Sequence, residues 1–442
     1  MAQTTTSTAN LRHILRCEYL YHHRRTFIDA RIKWVRDPYL DNAVEKEKNL
    51  KQLLSLKNII LSHHSKTLAV AAVSGHLKLP TTAVKLIDKY PSVFNHFLSL
   101  KPLSHPQVRL TKQALSLHKL ETLIMNSPKG KIDSAERLVK LLMLTKRKKL
   151  PLFVIDKLKF DLGLPYNYVL DLVPDFPDYF QICSMENFGF GLELVSWRKD
   201  LAFSEMEMRV REKGRRPIRF SMNLPRGFDL QKKVRDWVFE WNNLPYISPY
   251  EDASYLGPNT DQAEKWTVAV LHELLNLCVS KKTEIDNVCC LGDYLGFGNR
   301  FKKAVKHHPG IFYMSNKIRT QTVVLREAYR KANLVDVHPL MEMRYRYIDL
   351  MNKRVKRNPL QVRPDGRKNL SAFSREGRRN DSVIGEQDVE TKLVSSESEV
   401  QSSDDEKRRP NARELKLEAT GKFHKKIFFH LDMNSDLLVS WM

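Results

Sequence analysis

Arginine and lysine are the residue types in this sequence whose spacing suggests a binding surface. One basic run packs six such residues into eleven positions: Arg209, Arg211, Lys213, Arg215, Arg216 and Arg219. If Arg215–Met222 is a strand, alternation buries Ile218, Phe220 and Met222 and leaves arginines in solvent. Arginines displayed in this way suit contacts with phosphate groups and stacking on unpaired bases.

Two further basic clusters are predicted to contribute to the same kind of surface. Lys146, Arg147, Lys148 and Lys149 fall between two predicted helices, and Lys317 and Arg319 fall at the tip of a predicted β-ribbon. A single basic run is typical of a solvated surface, whereas several around repeated modules favour nucleic-acid binding. Lys+Arg number 74 against 51 for Asp+Glu, a net charge of +23, and such a field favours RNA or DNA as partner. Solubility or organelle import is the alternative explanation of this charge.

The residues that carry catalysis or bind metals form no recognisable pattern. The sequence has no phosphate-binding Gly-x-x-x-x-Gly-Lys loop, no Gly-x-Ser-x-Gly elbow and no His-Glu-x-x-His helix. The five cysteines are irregularly spaced without a Cys-x-x-Cys pair, and the fifteen histidines occur singly or as adjacent pairs that point apart. We therefore expect no catalytic residues, no metal, no cofactor and no small-molecule substrate.

The N-terminal residues 1–28 have the composition of a targeting segment. They contain one acidic residue, Glu18, against four arginines, and threonines are concentrated near the start. This composition predicts an organelle transit peptide, with a frayed basic terminus as the alternative. The arginines favour the mitochondrion, while the Thr-rich opening leaves the chloroplast open. No apolar run approaches the roughly 18 residues that cross a bilayer, so we expect no membrane partner.

Three segments of the chain share one pattern, a Leu-containing turn, a short amphipathic helix and then Pro-x-x-Phe. They span residues 75–94, 160–180 and 293–312. The prolines are expected to end each helix because proline disfavours helical geometry in the residue before it. Their final phenylalanines are predicted to pack in the core rather than to stack on bases. The prolines are Pro91, Pro177 and Pro309, and the phenylalanines are Phe94, Phe180 and Phe312.

The sequence around the three segments repeats as well. Two helical patterns precede each one, as at Leu50–Leu61 and Lys66–Ser74 in the first repeat, and a strand–turn–strand pattern follows. Three helices followed by a β-ribbon is the order of a winged helix. The predicted fold is therefore mainly α with small β-ribbons (α+β), built from tandem winged-helix-like modules. The modules lie at about 40–125, 130–200 and 260–335, unless the resemblance arose by chance.

The excess length between the second and third modules is a basic insertion at about 200–260, with a predicted helix at Leu230–Trp241. Beyond residue 352 the chain becomes polar and charged. We expect a disordered tail over 353–420, and a short ordered segment at 421–442 is an option.

Four segments of the sequence resemble the plant organelle RNA recognition (PORR) domain family. They are residues 29–50, LPYNYVLDLVPDFPDYFQI, MNLPRGFDL and LPYISPYEDAS. The most specific are LPYISPYE and the Trp34–Pro38 opening. The resemblance runs from about residue 32 to residue 352, and the motifs follow the family's order.

The resemblance implies a non-enzymatic RNA-binding domain over 29–352 that acts in mitochondria or chloroplasts in group II intron splicing. Organellar intron-containing RNA is then the implied partner, with other splicing factors as candidates, and the mitochondrion is the preferred location. The family motifs are largely apolar and aromatic, so they read as core and turn, and no RNA contacts are carried over to them. Two alternatives stay open, an organellar DNA-binding or transcription protein and a protein-interaction scaffold in a ribonucleoprotein assembly.

Overall fold

The computed structural model describes most of the first 353 residues. The chain divides into two units, Met1–Gln361 and Val362–Met442, and every described residue lies in the first. The predicted transit peptide and, apart from Lys353, the predicted tail lie outside the described residues. The described residues are 34–70, 72, 82–97, 106–185, 189–214, 217–224, 231–318 and 320–353.

The chain begins with an N-terminal helix and then builds the first module. Helix α1 (Pro38–Lys46) starts at Asp37, whose carboxylate accepts hydrogen bonds from the backbone N–H groups of Tyr39 and Leu40. Pro38 suits the first helical position because its missing N–H would have no partner there. The first module then consists of α2 (Leu50–Ser62), β1 (Leu68–Ala69), α3 (Thr82–Lys89), β2 (Phe94–Phe97) and β3 (Gln107–Leu110).

The helix predicted at Lys66–Ser74 is wrong over its first four residues. Lys66 has a φ of +51°, which no helix continues through, and Leu68 and Ala69 form strand β1. Leu68 pairs with Val108 of β3. A long-range strand pairing therefore satisfies backbone groups that the apolar run alone would have placed in a helix.

The second module follows a connecting helix, α4 (Lys112–Asn126). Ser127 caps the next helix and Gly163, at a φ of +65°, ends the one after it. The insertion that follows the module contains α8 (Glu205–Lys213) and α9 (Lys232–Asn243). The module itself consists of α5 (Pro128–Met143), β4 (Lys149–Pro151), α6 (Leu152–Leu162), α7 (Tyr168–Asp171), β5 (Phe180–Met185) and β6 (Gly189–Leu194).

The third module repeats this order and is followed by a small hairpin and a last helix. The module consists of α10 (Asp261–Leu277), β7 (Lys282–Glu284), α11 (Ile285–Leu295), α12 (Arg300–His307), β8 (Phe312–Ser315) and β9 (Thr322–Leu325). The hairpin is β10 (Tyr329–Arg330) with β11 (Asn333–Leu334), and the last helix is α13 (Pro339–Asn352).

The three sheets confirm tandem winged-helix-like modules. Their strand orders are β1-β3-β2, β4-β6-β5 and β7-β9-β8, all antiparallel. In each sheet, the phenylalanine of Pro-x-x-Phe is the first residue of the strand that comes second in sequence. It pairs with the leucine that ends the third strand. These pairs are Phe94 with Leu110, Phe180 with Leu194 and Phe312 with Leu325. All three phenylalanines are buried, so the prediction that they are core residues is confirmed.

The apolar core is divided unequally among the modules. The second and third modules share one continuous core, to which Leu142, Leu158, Leu271 and Leu291 belong. The first module has a separate core that the last helix completes with Tyr347 and other residues of α13. No helix of the described part of the chain is long and apolar enough to span a bilayer.

The helices at the two ends of the described chain pack on different modules, α1 on the third and α13 on the first. Leu40 and Val44 of α1 pack on Tyr313 and Val324 of the third module. At the other end, the Tyr347 hydroxyl of α13 donates to Glu121 of α4, which also pairs with the buried Lys57 of α2. The described chain is thereby held together by contacts distant in sequence.

Candidate nucleic-acid interface

In the predicted cluster at Lys146–Lys149, the first three residues lie in the turn between α5 and β4. Lys149 begins β4 and is half-buried. Lys146 and Arg147 are exposed. The Lys148 ammonium donates to the Met143 carbonyl at 2.7 Å and lies 4.4 Å from the centroid of the Trp197 ring. Burial lowers the pKa of Lys148. Lys148 is therefore largely occupied in holding the turn, which leaves Lys146 and Arg147 as its solvent-facing charges.

Lys146 reaches from the second module to the third. Gly296 ends α11 in the left-handed conformation at a φ of +78°. A Cβ placed on Gly296 would stand 3.5 Å from Cε and 3.7 Å from Nζ of Lys146. The Lys146 ammonium thus lies over the turn that leads into α12.

Arg209 of the insertion is held by two carboxylates. Its guanidinium pairs with Glu205 at 3.0 Å and with Glu327 at 2.5 Å. Burial by itself would raise the pKa of Glu327, but the hydrogen bond with His272 and the charge of Arg209 lower it to about 2. Arg209 therefore joins α8 to the third module, and its charge is neutralised inside the protein.

The rest of this basic run lies at the end of α8 and just beyond it. Arg211 and Lys213 are exposed, and the Arg211 guanidinium lies 5.3 Å from the Phe203 ring. Arg215 and Arg216 lie outside the described residues. The two exposed side chains extend from the end of a helix rather than from a strand.

The strand predicted at Arg215–Met222 is wrong over residues 217–222, the described part of that range, which form no strand pairing. The Asn242 side chain takes the place of a neighbouring strand: it accepts from the Phe220 N–H at 3.0 Å and donates to the Phe220 carbonyl at 3.1 Å. The alternation nevertheless holds, since Phe220 is buried, Ile218 and Met222 are half-buried, and Arg219 is exposed.

The exposed Arg219 lies near the buried Lys265, a second positive charge. The Lys265 ammonium of α10 donates to the carbonyls of Asn242 at 2.9 Å and Leu244 at 2.6 Å. Burial, together with the positive charge of Arg219, lowers the pKa of Lys265 to about 8. An anion bound at Arg219 would relieve this repulsion.

The third predicted cluster lies between β8 and β9, as expected for a wing tip. The Lys317 ammonium is 3.5 Å from the Glu45 carboxylate of α1, and both side chains are partly exposed. An exposed pair of this kind contributes little stability and is easily exchanged for another anion. Arg319 lies outside the described residues.

Members of two predicted clusters, Lys146 and Arg219, lie by the turns before and after helix α12, whose basic side was not predicted from the sequence. Lys146 lies over the Gly296 turn before it. The Asn223 N–H donates to the Gly310 carbonyl at 2.8 Å, which fixes the segment of Arg219 against the turn after it. The wing of Lys317 continues from that turn.

The exposed side of α12 is itself basic. Phe301, Ala304 and Val305 are buried, whereas Lys302, Lys303 and Lys306 are exposed. From residue 294 to residue 326 the chain has seven Lys/Arg and no Asp or Glu. This acid-free window was visible in the sequence; counting basic runs alone missed it because its lysines are interspersed with apolar residues.

The family motifs have structural roles. In the Trp34–Pro38 motif, the Trp34 indole donates to the Met314 carbonyl at 3.1 Å, and Asp37 accepts from Arg326 at 2.7 Å. These two hydrogen bonds hold the motif against the third module. In LPYISPYE, the Pro245 carbonyl accepts from Gln262, and the Tyr250 hydroxyl donates to Glu273 at 2.7 Å. These motifs are core and turn, as their composition predicts.

No metal centre is assembled by the residues described. Their His, Cys, Asp and Glu side chains form no group of three that could hold a metal ion. The four cysteines at described positions are free thiols, and burial raises the pKa of three of them, Cys183, Cys278 and Cys289. The exposed cations of the interface can bind an anionic polymer, and the raised pKa values make these three thiols less reactive.

Comparison with known proteins gives a consistent picture. The plant organelle RNA recognition domain model matches residues 35–356. WHAT'S THIS FACTOR 9, mitochondrial, of Arabidopsis thaliana is 34% identical over 363 residues, covering 78% of this chain and 92% of that protein. ROOT PRIMORDIUM DEFECTIVE 1 of the same plant is 30% identical over 347 residues, covering 72% of this chain and 82% of its own length.

The chain is also similar to a chloroplastic protein. The WHAT'S THIS FACTOR 1 homolog, chloroplastic, of Arabidopsis thaliana is 30% identical over 330 residues, covering 71% of this chain and 62% of that protein. No solved structure matches. The resemblance seen in the sequence is therefore confirmed, and the chain belongs to the plant organelle RNA recognition domain family, a family of organellar RNA-binding proteins with a role in intron splicing.

Proposed function

We propose that this protein binds intron-containing RNA in a plant organelle and promotes the splicing of group II introns without itself being a catalyst. The observation that carries the proposal is that the family domain, matched over 35–356, presents three exposed lysines on α12, with Lys146 and the segment of Arg219 at the turns on either side of it. Membership of an RNA recognition family explains the RNA partner, and the basic surface explains how RNA is held.

Phosphate contacts would supply most of the affinity. Each lysine or arginine that neutralises a phosphate releases condensed counterions, so binding weakens steeply with salt. Positive charge placed between RNA segments also lowers their mutual repulsion. The bound intron is then stabilised in its splicing-competent fold, and the RNA performs the chemistry.

Exposed aromatic side chains on the second module would add contacts to unpaired bases. Trp197 is 39% exposed and already carries Lys148 near its ring, and Phe190 at the start of β6 is 49% exposed. Stacking of a base on such a ring contributes about 1–3 kcal/mol and tolerates any sequence. Intron selectivity would then come from the shape of the RNA and from which bases are unpaired.

The location favoured by the comparisons is the mitochondrion. The relative matched over 92% of its length is named as mitochondrial, and the chloroplastic relative is matched over 62% of its length. The chloroplast is the alternative. Other splicing factors in the same organelle are proposed as partners, because folding of a large intron involves several proteins at once.

The test is immunoprecipitation of the tagged, full-length protein from plant organelles, followed by sequencing of the bound nucleic acid. Enrichment of one or a few group II intron regions over the remaining transcripts is expected. Recovery of organellar DNA alone would instead favour the DNA-binding function that winged-helix-like modules can also perform. Flat recovery at the level of an untagged control would favour a protein-interaction scaffold.

A further inference from the structure

The exposed side of α12 carries more unopposed positive charge than folding requires. Its packing is done by Phe301, Ala304 and Val305 alone. Within the described ranges, Lys302, Lys303 and Lys306 form no ion pair, whereas the neighbouring His307 pairs with Glu264 at 3.1 Å. No carboxylate of the described residues therefore neutralises these three lysines in an ion pair.

A generic solvated surface does not account for this helix. A solvated helix face ordinarily mixes both signs of charge, because opposite charges at neighbouring turns stabilise it. Here the chain has no carboxylate from residue 294 to residue 326. Asp286 and Asp293 of α11 and Lys302 all act on the pKa of the Cys289 thiol, so these two carboxylates lie in the region of Lys302, while Glu264 of α10 pairs with His307 and His308. Lys303 and Lys306 are the less opposed members of the set.

The helices at the same position in the other two modules are different. Helix α3 of the first module carries Lys85 and Lys89 but also Asp88. Helix α7 of the second module and the turn after it carry Asp171, Asp175 and Asp178. The basic helix is thus a property of the third module and not of the repeated architecture.

We propose that the exposed side of α12 binds the phosphate backbone of RNA. This contact extends to Lys146, which lies at the turn preceding the helix, and to Arg219, whose segment lies against the turn following it. The proposal rests on the RNA-binding function proposed above and assigns its main electrostatic site. The contact is to backbone rather than to bases. Lysine acts as a point charge, and the major groove of an RNA duplex is too narrow to admit a helix.

The test measures the binding of the full-length protein to two fluorescent probes, a 30-nucleotide mixed-sequence single-stranded RNA and the DNA duplex of the same sequence. The variant is Lys302→Gln, Lys303→Gln, Lys306→Gln. The matched control removes three exposed lysines from α4 and the first turn of α5, Lys112→Gln, Lys119→Gln and Lys129→Gln. We expect at least about a tenfold loss of RNA affinity for the α12 variant. Because each phosphate contact contributes about 0.7 to the slope of log K against log salt, its slope should fall by about 2.

The outcomes separate this site from the proposed function. RNA binding by the unchanged protein with equal losses in variant and control would overturn the α12 site and leave the function standing. Failure of the unchanged protein to bind RNA would overturn the function. Tighter binding of the DNA duplex would overturn RNA as the occupant of α12. If the glutamine variant does not fold, Lys302→Arg, Lys303→Arg, Lys306→Arg keeps the charge and must keep the affinity.

Discussion

Helix α7 of the second module and helix α12 of the third occupy the same place in the same architecture, yet they present opposite charges to solvent. Their buried residues agree: Val173, just after α7, and Val305 of α12 are each buried four residues before a proline, and a buried phenylalanine begins the next strand. Their outward residues are acidic around α7 and basic on α12. Packing determines the buried positions, while the exposed positions are free to differ in charge.

The comparison separates what holds a module together from what it binds. The two modules share one continuous core, so neither can be removed without exposing the apolar surface of the other. A protein built in this way needs both of these modules for stability, while contact with RNA can be made by one of them. The predictions below test that division.

The largest expected effect is on stability and is the same in both modules. Phe180→Ala and Phe312→Ala each remove a fully buried ring from the shared core, so each should lower the free energy of unfolding by about 3–5 kcal/mol. Chemical denaturation of both variants measures this. If only one of the two variants were destabilised, the two modules would not be equivalent in packing. The surface charges of α7 and α12 could then not be compared as those of equivalent helices.

Local sequence pattern is sufficient to predict the repeated parts of this fold. Pro91 and Pro309 follow the ends of their helices as predicted, and the ribbons followed. The prediction for Pro177 is wrong, because α7 ends at Asp171 and a 3-10 turn at Val173–Asp175 separates it from that proline. The first strand of each sheet was missed, because segments as short as Leu68–Ala69 and Lys149–Pro151 become strands only through pairing with a partner tens of residues away. No periodicity can develop over two or three residues.

The candidate site was predicted less well, for a similar reason. Whether an arginine is free depends on carboxylates distant in sequence. Arg209 lies in a basic run, but Glu327, 118 residues away, neutralises it. Conversely, Lys302, Lys303 and Lys306 are exposed because apolar neighbours turn them outward, and only the absence of acids over 294–326 signals their importance.

The second prediction makes α12 resemble α7 in charge. Lys302→Glu, Lys303→Glu, Lys306→Glu should lower RNA affinity by on the order of 100-fold at moderate salt, since three favourable phosphate contacts become repulsive. Fluorescence anisotropy against a single-stranded RNA measures this. The control is Lys85→Glu, Lys89→Glu on α3, the same position in the first module, where a far smaller loss is expected. Losses proportional to net charge in both would mean that no module is preferred.

The third prediction concerns a carboxylate of the third module that anchors the insertion. The pKa of Glu327 is lowered to about 2, against an ordinary value near 4.5, so its stabilising effect is complete above about pH 4.5 and is lost as the pH falls toward 2. After allowance for solvent at the partly exposed Arg209, the effect is roughly 2 kcal/mol. Unfolding of Glu327→Gln should therefore depend less on pH over this window.

The comparison that checks this is the difference between the unfolding free energies of the unchanged protein and Glu327→Gln at several pH values. Glu121 also has its pKa lowered to about 2 and titrates in the same window, but it is unchanged by the substitution and cancels in the difference. A difference that stays constant from pH 6 to pH 2 would show that Arg209 and His272 do not depend on the charge of Glu327.

The smallest expected effect is at α7. Asp171→Asn, Asp178→Asn removes two exposed carboxylates from the acidic counterpart of α12, and Asp175 is left because it pairs with Lys131 at 2.6 Å. If RNA lies along α12 and not along α7, these charges are screened from it beyond about 10 Å at ordinary salt, and affinity should rise by less than about threefold. The slope of log K against log salt should not change, because no phosphate contact is gained. A large gain in affinity, or a steeper slope, would mean that RNA also passes close to the second module and that its acidic helix serves to repel it.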